Sequence, residues 1–279
     1  PFLTDTNSLY AGQRINSVDH FHNAMLNGFG YSTLQVPVII ADGLRGENSL
    51  EVKIDRPLLQ KVHLASDIVN ADGMVAVSHF KGHELSGFGG AIKNLSMGCA
   101  SRRGKMDMHS ETSPVVAEDE CTGCERCVEH CQVRAIEMKQ KAHITDRCIG
   151  CARCIAVCPE NAIHVSWDAT SDSTQRKMVE YAYGVEKALH SKIIYLNILT
   201  DISPACDCYG GNDAPVTGDI GFLASTDPVA LDKASFDMVC EKAKGDPFKA
   251  VYPYLDTTLQ VEYAKEIGWG RAEYKVEVL

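Results

Sequence analysis

Short apolar runs separated by glycine-rich or polar segments dominate this chain, a pattern typical of buried strands joined by loops. Runs at residues 36–43, 74–82, 192–199 and 219–226 predict strands, and a last strand is expected at residues 273–279. All but the last are nearly continuous in apolar character. Such runs are typical of strands that are covered on both faces.

Helical periodicity occupies the stretches between these runs. It predicts helices at residues 60–70, 175–190 and 258–267, and another that begins at Pro228 with Asp227 as its N-cap. The order strand, helix, strand at the start of the chain indicates a parallel βαβ unit. The alternation as a whole predicts an α/β fold, with a parallel or mixed sheet and helices on both faces.

The composition changes sharply in residues 116–165, called the Cys-rich segment below. We therefore predict a discontinuous α/β domain made of residues 1–115 and 166–279, with residues 116–165 inserted in a loop as a small α+β domain. In α/β sheets, ligands bind at the carboxyl ends of the strands. The polar and glycine-rich loops of this chain are expected at that edge.

Eight of the twelve cysteines lie in two copies of the motif C-x2-C-x2-C-x3-C. The first copy comprises Cys121, Cys124, Cys127 and Cys131, and the second comprises Cys148, Cys151, Cys154 and Cys158. Disulfides between residues this close would mostly be strained, and zinc sites rarely use four cysteines at this spacing. The motif instead predicts [4Fe–4S] clusters.

Three cysteines at three-residue spacing wrap one cluster, and the fourth begins a helix that crosses to the other cluster. This predicts cluster 1 on Cys121, Cys124, Cys127 and Cys158, and cluster 2 on Cys148, Cys151, Cys154 and Cys131. An internal repeat of about 27 residues supports the pairing, and it resembles bacterial two-cluster ferredoxins. Gln132 follows Cys131 where a proline follows Cys158, but this position is not a ligand.

The segment from His79 to Cys99 carries the densest group of chemically active side chains outside the Cys-rich segment. Its candidate catalytic residues are His79, Lys81, His83 and Lys93, which can exchange protons or supply positive charge. Its glycines Gly87, Gly89 and Gly90 precede an expected helix, where exposed amides can bind an anionic ligand or cofactor. The alternative is a structural glycine-rich turn with surface histidines.

Two further groups are candidates for binding. The first is a basic patch of Arg102, Arg103, Lys105 and His109, which fits either a carboxylate or phosphate ligand or a solvated loop. The second is Cys206 and Cys208, which with Asp207 and Asp213 fit an extra metal, a pair of reactive thiols or a tight loop. Cys99 and Cys240 are expected to be small buried apolar side chains.

The charge and hydropathy of the chain limit the partners and the compartment that can be expected for it. A net charge of −10 argues against nucleic-acid binding, and the absence of an apolar run of eighteen residues argues against a membrane span. Free thiolates predict a reducing, anaerobic cytoplasm. Since the sequence starts at Pro1 with a stretch that reads like the interior of a protein, we expect a further segment upstream.

The combination of motifs is similar to the DUF362 family. The matching stretches are TDTNSLY, PVIIADGLRG, the segment from SHFKG to KMDMH, the two cysteine motifs, and the segment from CDCYGG to LDKAS. They cover nearly the whole chain, and GFGGAIKN and DIGFLASTDPVALD are the most specific. The resemblance implies an α/β domain with a ferredoxin insert and does not imply a reaction.

Three functions fit these observations. The first is an oxidoreductase in which the two clusters move single electrons to or from a redox-active site on the α/β domain, served by a redox partner protein and acting on a small molecule. The second is an electron-transfer or adaptor subunit without its own catalysis. The third is a non-redox enzyme with structural clusters. The embedding of an electron carrier in a larger domain favours the first.

Overall fold

The computed structural model of the chain describes residues 1–111, 113–166, 169–208, 211 and 213–278. Trp167 and three residues of the segment after Cys208 (Tyr209, Gly210 and Asn212), on which sequence predictions fell, lie outside the described residues. None of the described helices is both long enough and apolar enough to cross a lipid bilayer.

The strands in chain order are β1 (Leu3–Asp5), β2 (Val38–Ile40), β3 (Ser49–Lys53), β4 (Lys61–Ala65), β5 (Met74–His79), β6 (Lys81–His83), β7 (Gly87–Gly89), β8 (Val115–Val116), β9 (Ile136–Met138), β10 (Ala142–Ile144), β11 (Ile163–His164), β12 (Ile193–Leu199) and β13 (Gly221–Ser225). The helices are α1 (Ser17–Leu26), α2 (Tyr31–Leu34), α3 (Ser66–Val69), α4 (Ala91–Cys99), α5 (Arg102–His109), α6 (Arg126–Glu129), α7 (Arg153–Val157), α8 (Ser171–Ala188), α9 (Pro228–Ala243), α10 (Pro247–Val251) and α11 (Leu259–Glu266). This mixture of helices with small parallel and antiparallel sheets fits the predicted α/β class.

The described residues form two compact units. The first combines Pro1–Val52, His63–Asn70 and Cys99–Ala169, and so contains the whole Cys-rich segment. The second combines Lys53–Val62, Ala71–Gly98 and the chain from Thr170 onward. The composition predicts that residues 116–165 form a domain inserted between residues 1–115 and 166–279. That this segment folds by itself stays a prediction.

The second unit is built on a three-stranded mixed sheet of order β13-β12-β5. Strand β12 runs parallel to β5 and antiparallel to β13. One face is buried, with Tyr195 and Leu199 fully covered, and α9 packs against β12 and β13. The other face is apolar but open in the described chain, since Val75 is 64% and Phe222 68% exposed. Helices on both faces were predicted, and this sheet has one open face instead.

Four phenylalanines form the centre of the second unit. Phe80 stacks on Phe88 with ring centroids 5.1 Å apart, and Phe236 and Phe248 pack on the same pair. Such aromatic contacts contribute about 0.5–1.5 kcal/mol per pair beyond the burial of area. They fix β5, β7, α9 and α10 around the segment that carries the candidate catalytic residues.

The first unit contains short two-stranded sheets and one apolar cluster around the cysteines. β1 pairs parallel with β2, while β9 pairs with β10 and β8 with β11 as antiparallel hairpin-like ladders. Leu9 and Met106 join the apolar cluster formed by the Cys-rich segment, together with Ile136, Ile155 and Ile163. Residues outside 116–165 therefore complete the core of this segment.

The helices predicted after the Cys-rich segment are confirmed by α8, α9 and α11. At α9 the Asp227 carboxylate accepts hydrogen bonds from the amides of Val229 and Ala230, and Pro228 follows as the first helical residue. The predicted N-cap is therefore observed. Its geometry satisfies two of the amide donors that the start of every helix leaves open.

Three local predictions are wrong. The helix at residues 60–70 is replaced by β4 and the short α3. Four consecutive residues of β4, 62–65, are buried, as in a strand that is covered on both faces. The βαβ unit does not form, since β2 pairs with β1 and β5 with β12. The described residues 273–278 form no strand, and their mostly exposed side chains have no sheet to join.

Candidate functional site

The site in the second unit lies where two parallel strands end. β5 ends at His79, and β12, its parallel neighbour, ends at Leu199 and continues into residues 200–208, called the thiol loop below. Because parallel strands have their carboxyl ends at one edge, this pairing brings His79 to the thiol loop. The candidate residues therefore meet at the carboxyl edge of the strands, where the polar and glycine-rich loops were expected.

Strands β6 and β7 form a small antiparallel hairpin after β5, and Gly82 is its contact with the thiol loop. The Gly82 amide donates to the Ser203 carbonyl at 2.8 Å. A side chain at this position would overlap the Pro204 carbonyl. Only glycine allows this approach, which sets the distance between the hairpin and the cysteines. No local signal in the sequence points to Gly82, since the contact depends on a residue more than a hundred positions away.

Asp207, between the two cysteines of the thiol loop, is held by two candidate catalytic residues. Its Oδ2 lies 2.8 Å from His79 Nδ1 and 3.3 Å from Lys81 Nζ. The other His79 nitrogen, Nε2, lies 2.9 Å from the Thr200 carbonyl. Both ring nitrogens therefore face acceptors, an arrangement that favours the protonated ring.

The pKa values of this group agree with the geometry. The hydrogen bond with Asp207 raises the pKa of His79 above its usual value, against the lowering effect of burial. Burial would raise the pKa of Asp207, but hydrogen bonding to His79 and the charge of Lys81 together lower it. His79 and Lys81 therefore anchor the thiol loop through Asp207.

Cys206 lies on the inner side of the thiol loop among polar partners. Lys93 Nζ of α4 lies 3.7 Å from its sulfur, and the Cys206 side chain is 6% exposed. A hydrogen bond from Cys208 lowers the pKa of the Cys206 thiol, and although burial raises it, a hydrogen bond from His83 and the charge of Lys93 lower it further. The pKa of Cys206 is therefore lowered below the usual range of a thiol, which favours the thiolate.

The backbone fixes the hydrogen on His83. Its Nδ1 accepts hydrogen bonds from the amides of Leu85 at 3.1 Å and Ser86 at 3.2 Å. The ring hydrogen is therefore on Nε2, which leaves that nitrogen as a donor. Burial lowers the pKa of His83, and the charge of Lys93 lowers it further. His83 is thus a neutral hydrogen-bond donor toward Cys206.

Close contacts within the chain require two of the three predicted ligand-binding glycines, Gly87 and Gly90, while Gly89 faces the flexible side chain of Lys93. A side chain on Gly87, which has φ +73°, would approach Thr257, and one on Gly89 would approach Lys93. A side chain on Gly90 would overlap the Asp232 carboxylate. Gly89 thereby leaves room for the lysine that faces Cys206. A role of these glycines in binding a cofactor remains a prediction.

The first amides of α4 are occupied by a carboxylate of the protein itself. Asp232 accepts from the amides of Ala91 at 2.7 Å and Ile92 at 2.9 Å, and from the side chain of Asn197 at 2.8 Å. Burial raises the pKa of Asp232 to about 6, and these donors oppose the shift. An external anion expected at these two amides is therefore replaced by Asp232. The sequence contains one signal for this contact, since Asp232 lies with Val229 and Phe236 on the apolar face of α9.

The Cys-rich segment of the first unit folds as two similar halves. α6 and α7 are each preceded by a residue with left-handed backbone, and the cysteine loops before them contain Gly123 (φ +71°) and Gly150 (φ +65°). The Ala135 amide donates to the Cys131 sulfur at 3.2 Å, and the Ala162 amide donates to the Cys158 sulfur at 3.3 Å. The sequence repeat is therefore also a repeat of backbone conformation.

One pocket in this segment is lined by all four predicted ligands of cluster 1. Cys121, Cys124 and Cys127 of the first motif and Cys158 of the second surround about 330 Å³ of space that includes its open mouth. Most of the surface they share with Met138, Ala142 and Ile163 is apolar. The fold thus brings the last cysteine of the second motif to the first three cysteines of the first motif.

The thiols of the predicted cluster 2 are also close to one another. Burial raises the pKa of Cys154, and the neighbouring Cys151 and Cys148 raise it further. The Gly150 amide donates to the Cys148 sulfur at 3.4 Å. No disulfide joins any cysteine in the described chain. Nor do three or more Cys, His, Asp or Glu side chains of the described residues form a group that could hold a single metal ion.

Two of the four residues of the basic patch, Arg102 and Lys105, are used internally, in contrast to both predicted alternatives. Arg102 is fully buried and donates to the carbonyls of Arg45, Leu9 and Ile15. Lys105 is buried with its ammonium on the Thr6 carbonyl at 3.2 Å, and burial lowers its pKa to about 8. These two residues therefore stabilise the loops of the first unit, and are neither solvated nor open to a ligand.

The two isolated cysteines differ. Cys99 is buried, as predicted, and burial raises the pKa of its thiol to about 12. Cys240 on α9 is only half-buried, with its pKa raised to about 11 first by burial. Both are therefore protonated, weakly reactive thiols at neutral pH, unlike Cys206.

A family model described as "Domain of unknown function (DUF362)" matches residues 1–237, which is most of the chain. No curated protein and no solved structure matches the chain. The family description assigns no reaction, so the function has to be argued from the residues of the two sites.

Proposed function

Starting from the fact that the chain belongs to the DUF362 family, we propose that it is an iron–sulfur protein that moves single electrons through two [4Fe–4S] clusters. The observation that carries the proposal is the pocket lined by Cys121, Cys124, Cys127 and Cys158. A ligand set that crosses from one motif to the other is the arrangement expected of two-cluster ferredoxins. Simple proximity in sequence would have grouped Cys131 with the first three cysteines.

The chemistry of the pocket fits this group. In a cubane each thiolate binds its own iron, so the four ligands surround a volume and do not converge on one point. The glycines with positive φ allow the loop backbone to lie close to the cysteines, and amides donate to the sulfurs of Cys131, Cys148 and Cys158. Such hydrogen bonds are among the factors that set a cluster's reduction potential. When bound, the clusters would supply one-electron transfer.

For the second cluster we propose Cys148, Cys151, Cys154 and Cys131. The support is the repeat itself, since Cys131 and Cys158 each accept a hydrogen bond from the amide four residues ahead. The equivalent environments predict equivalent roles, with each cysteine completing the cluster of the other motif. Both clusters would then form only when the segment is folded as a whole.

The site on the second unit favours a ferredoxin-linked oxidoreductase over an adaptor subunit. A surface that only docks a partner does not need a thiolate buried between Lys93 and His83, held in place by Asp207. Cys206 would be the redox-active group that exchanges electrons with the clusters, and the protein would act with a redox partner and a small-molecule substrate. A reducing cytoplasm would keep the thiols available.

The test is anaerobic reconstitution of the full chain with ferrous iron and sulfide. We expect about eight iron and eight sulfide per chain, a broad absorption that bleaches on addition of dithionite, and the electron paramagnetic resonance of reduced [4Fe–4S] clusters. The variant Cys240→Ser is the matched control, because this cysteine lies on α9 outside both motifs, and it should load fully. Zinc in place of iron, or clusters that dithionite cannot reduce, would contradict the proposal.

A further inference from the structure

The thiol loop contains two cysteines separated by one residue, and their surroundings differ. Cys206 is buried, while Cys208 is exposed. The side chain between them, Asp207, is held by His79 at 2.8 Å and by Lys81 at 3.3 Å. This anchor fixes the backbone so that one sulfur faces Lys93 and the other faces solvent.

We infer that Cys206 and Cys208 are a dithiol–disulfide couple, in which Cys208 is the sulfur attacked from outside and Cys206 is the sulfur that leaves. A disulfide across one intervening residue closes a very small ring, and strained bridges of this kind are the easily reduced ones. The exposed position of Cys208 gives an external thiolate access to its sulfur. The buried position of Cys206 protects it from direct attack.

The ammonium of Lys93 and the Nε2–H of His83 stabilise the leaving group. Lys93 Nζ lies 3.7 Å from the Cys206 sulfur, and His83 has its hydrogen on Nε2 because Nδ1 accepts two backbone amides. A thiolate stabilised in this way leaves faster and favours the reduced form. The couple is therefore expected to be oxidising compared with a disulfide without such partners.

The reaction with a dithiol such as dithiothreitol balances as two exchanges. One thiolate of the reagent attacks the Cys208 sulfur, the Cys206–Cys208 bond breaks, and Cys206 leaves as a thiolate. The second thiolate of the reagent then attacks the mixed disulfide, its own ring closes, and Cys208 leaves and takes up one proton. The protein gains two electrons and the reagent loses two. Only the source of these electrons in the cell, two one-electron transfers through the clusters, rests on the proposed function.

The sequence offers a clean readout. Trypsin cleavage after Lys192 and Lys233 releases a peptide of which Cys206 and Cys208 are the only cysteines. The reconstituted full chain is equilibrated anaerobically in buffers of oxidised and reduced glutathione, whose poise suits an easily reduced disulfide, and is then quenched with acid, alkylated and digested. Two glutathione thiolates take the roles of the two thiolates of dithiothreitol. Mass spectrometry of this peptide then gives the fraction with two alkyl groups and the fraction with an internal disulfide.

We expect a single two-electron transition for the wild type. In Lys93→Met the equilibrium should shift toward the disulfide by about tenfold, equivalent to about 30 mV for a two-electron couple. Lys187→Met is the matched control, because that ammonium bonds to the Lys53 carbonyl, and it should leave the transition unchanged. Cys240→Ser should also leave it unchanged, whereas Cys208→Ser should abolish it.

Two results would overturn the inference. One is a peptide whose thiols stay fully alkylated at every buffer ratio, which would mean that no disulfide forms. The other is protection from alkylation that a chelator removes, which would assign the two thiols to a metal. Iron and sulfide measured on the same samples report the clusters separately. A couple that titrates in protein that takes up no iron would contradict the iron–sulfur proposal and support this inference. Full iron without a couple would contradict this inference and leave the iron–sulfur proposal standing.

Discussion

Cysteines are concentrated in two regions of the molecule, the Cys-rich segment and the thiol loop, and the pKa of the thiol is shifted in opposite directions in the two. In the Cys-rich segment burial raises the pKa of Cys154 and of Cys127, and neighbouring cysteines raise both further. In the thiol loop, hydrogen bonds from Cys208 and His83 and the charge of Lys93 lower the pKa of Cys206 despite its burial. The same side chain is therefore disfavoured as an anion in one region and favoured in the other.

The two regions differ in what compensates the negative charge of a thiolate. Around Cys206 the protein itself does so, through the ammonium of Lys93 and the N–H of His83. Crowded thiols such as those around Cys154 become ligands when a bound cation compensates their charge. We therefore expect the Cys-rich segment to depend on iron for its structure, and the thiol loop to keep its conformation without a bound group.

The largest effect should come from breaking the predicted cross-motif ligand. Cys158→Ser should lose about four of about eight iron atoms per chain, because cluster 1 loses its fourth ligand. The double variant Cys121→Ser with Cys158→Ser should lose no more than this, since both residues are assigned to one cluster. Iron and sulfide analysis after anaerobic reconstitution measures both.

The same experiment has an internal contrast. Combining Cys158→Ser with Cys148→Ser should remove nearly all the iron, because these cysteines are assigned to different clusters. If instead the pair Cys121 and Cys158 gave the additive loss, each motif would hold its own cluster and the pairing drawn from the pocket would be wrong.

The next effect should come from the contact between the hairpin and the thiol loop. Gly82→Ala places a methyl group against the Pro204 carbonyl, and such overpacking costs roughly 2 kcal/mol or more. We expect a lower midpoint of urea unfolding and faster alkylation of Cys206, as the loop moves away from Lys93. Gly211→Ala, with open space at its Cβ position, is the matched control and should stay within ~0.5 kcal/mol of wild type. Equal behaviour of the two variants would contradict the close packing.

A smaller effect should follow from removing the charge at Cys206. In a Cys208→Ser background, where the tryptic peptide retains one thiol, Lys93→Met should raise the pH midpoint of Cys206 alkylation by about one unit, or ~1.4 kcal/mol. The sign follows because Lys93 favours the anion, so the thiolate needs a higher pH without it. Rates of iodoacetamide labelling from pH 3 to 9 give the midpoint. A midpoint that does not move would show that Lys93 has no influence on the thiolate.

The smallest effect should come from a surface ion pair in the Cys-rich segment. Arg147 lies 3.2 Å from Glu137, and both side chains are more than half exposed. Exposed pairs contribute about 0–1 kcal/mol, so Arg147→Ala should change the free energy of unfolding by less than about 0.5 kcal/mol and leave the iron content intact. A substantial loss of iron would mean that surface charge, and not the thiols alone, holds the segment together.

Prediction from sequence succeeded where the determining contacts are local. The N-cap at Asp227, the helices α8, α9 and α11 and the strand β12 follow from residues within a few positions of each other. The meeting of His79, Lys81 and Lys93 with the cysteine loop also matches the expectation that ligand-binding loops share one sheet edge. It depended on β5 and β12 being parallel neighbours, which the sequence did not indicate, since the parallel pair predicted for β5 was the strand at residues 36–43.

Prediction failed where a distant partner decides the outcome. The helical pattern at residues 60–70 is overridden by burial on two sides, which makes β4 a strand. The first amides of α4 were expected to face an external anion, but they donate to Asp232, more than a hundred residues away. Arg102 and Lys105 read as a surface patch, but backbone carbonyls of the first unit surround them. Each case involves a contact that a local pattern does not contain.

The sequence by itself therefore determined the cysteine motifs and their spacing, the family, the α/β class and the candidate residues, because these depend on residue identity and short-range periodicity. Only the tertiary structure decided that Cys206 faces Lys93 and His83 while Asp207 is anchored by His79. The physical reason is that hydrogen bonds and charges act over a few ångströms in space. Chain folding, and not position in the sequence, sets those distances.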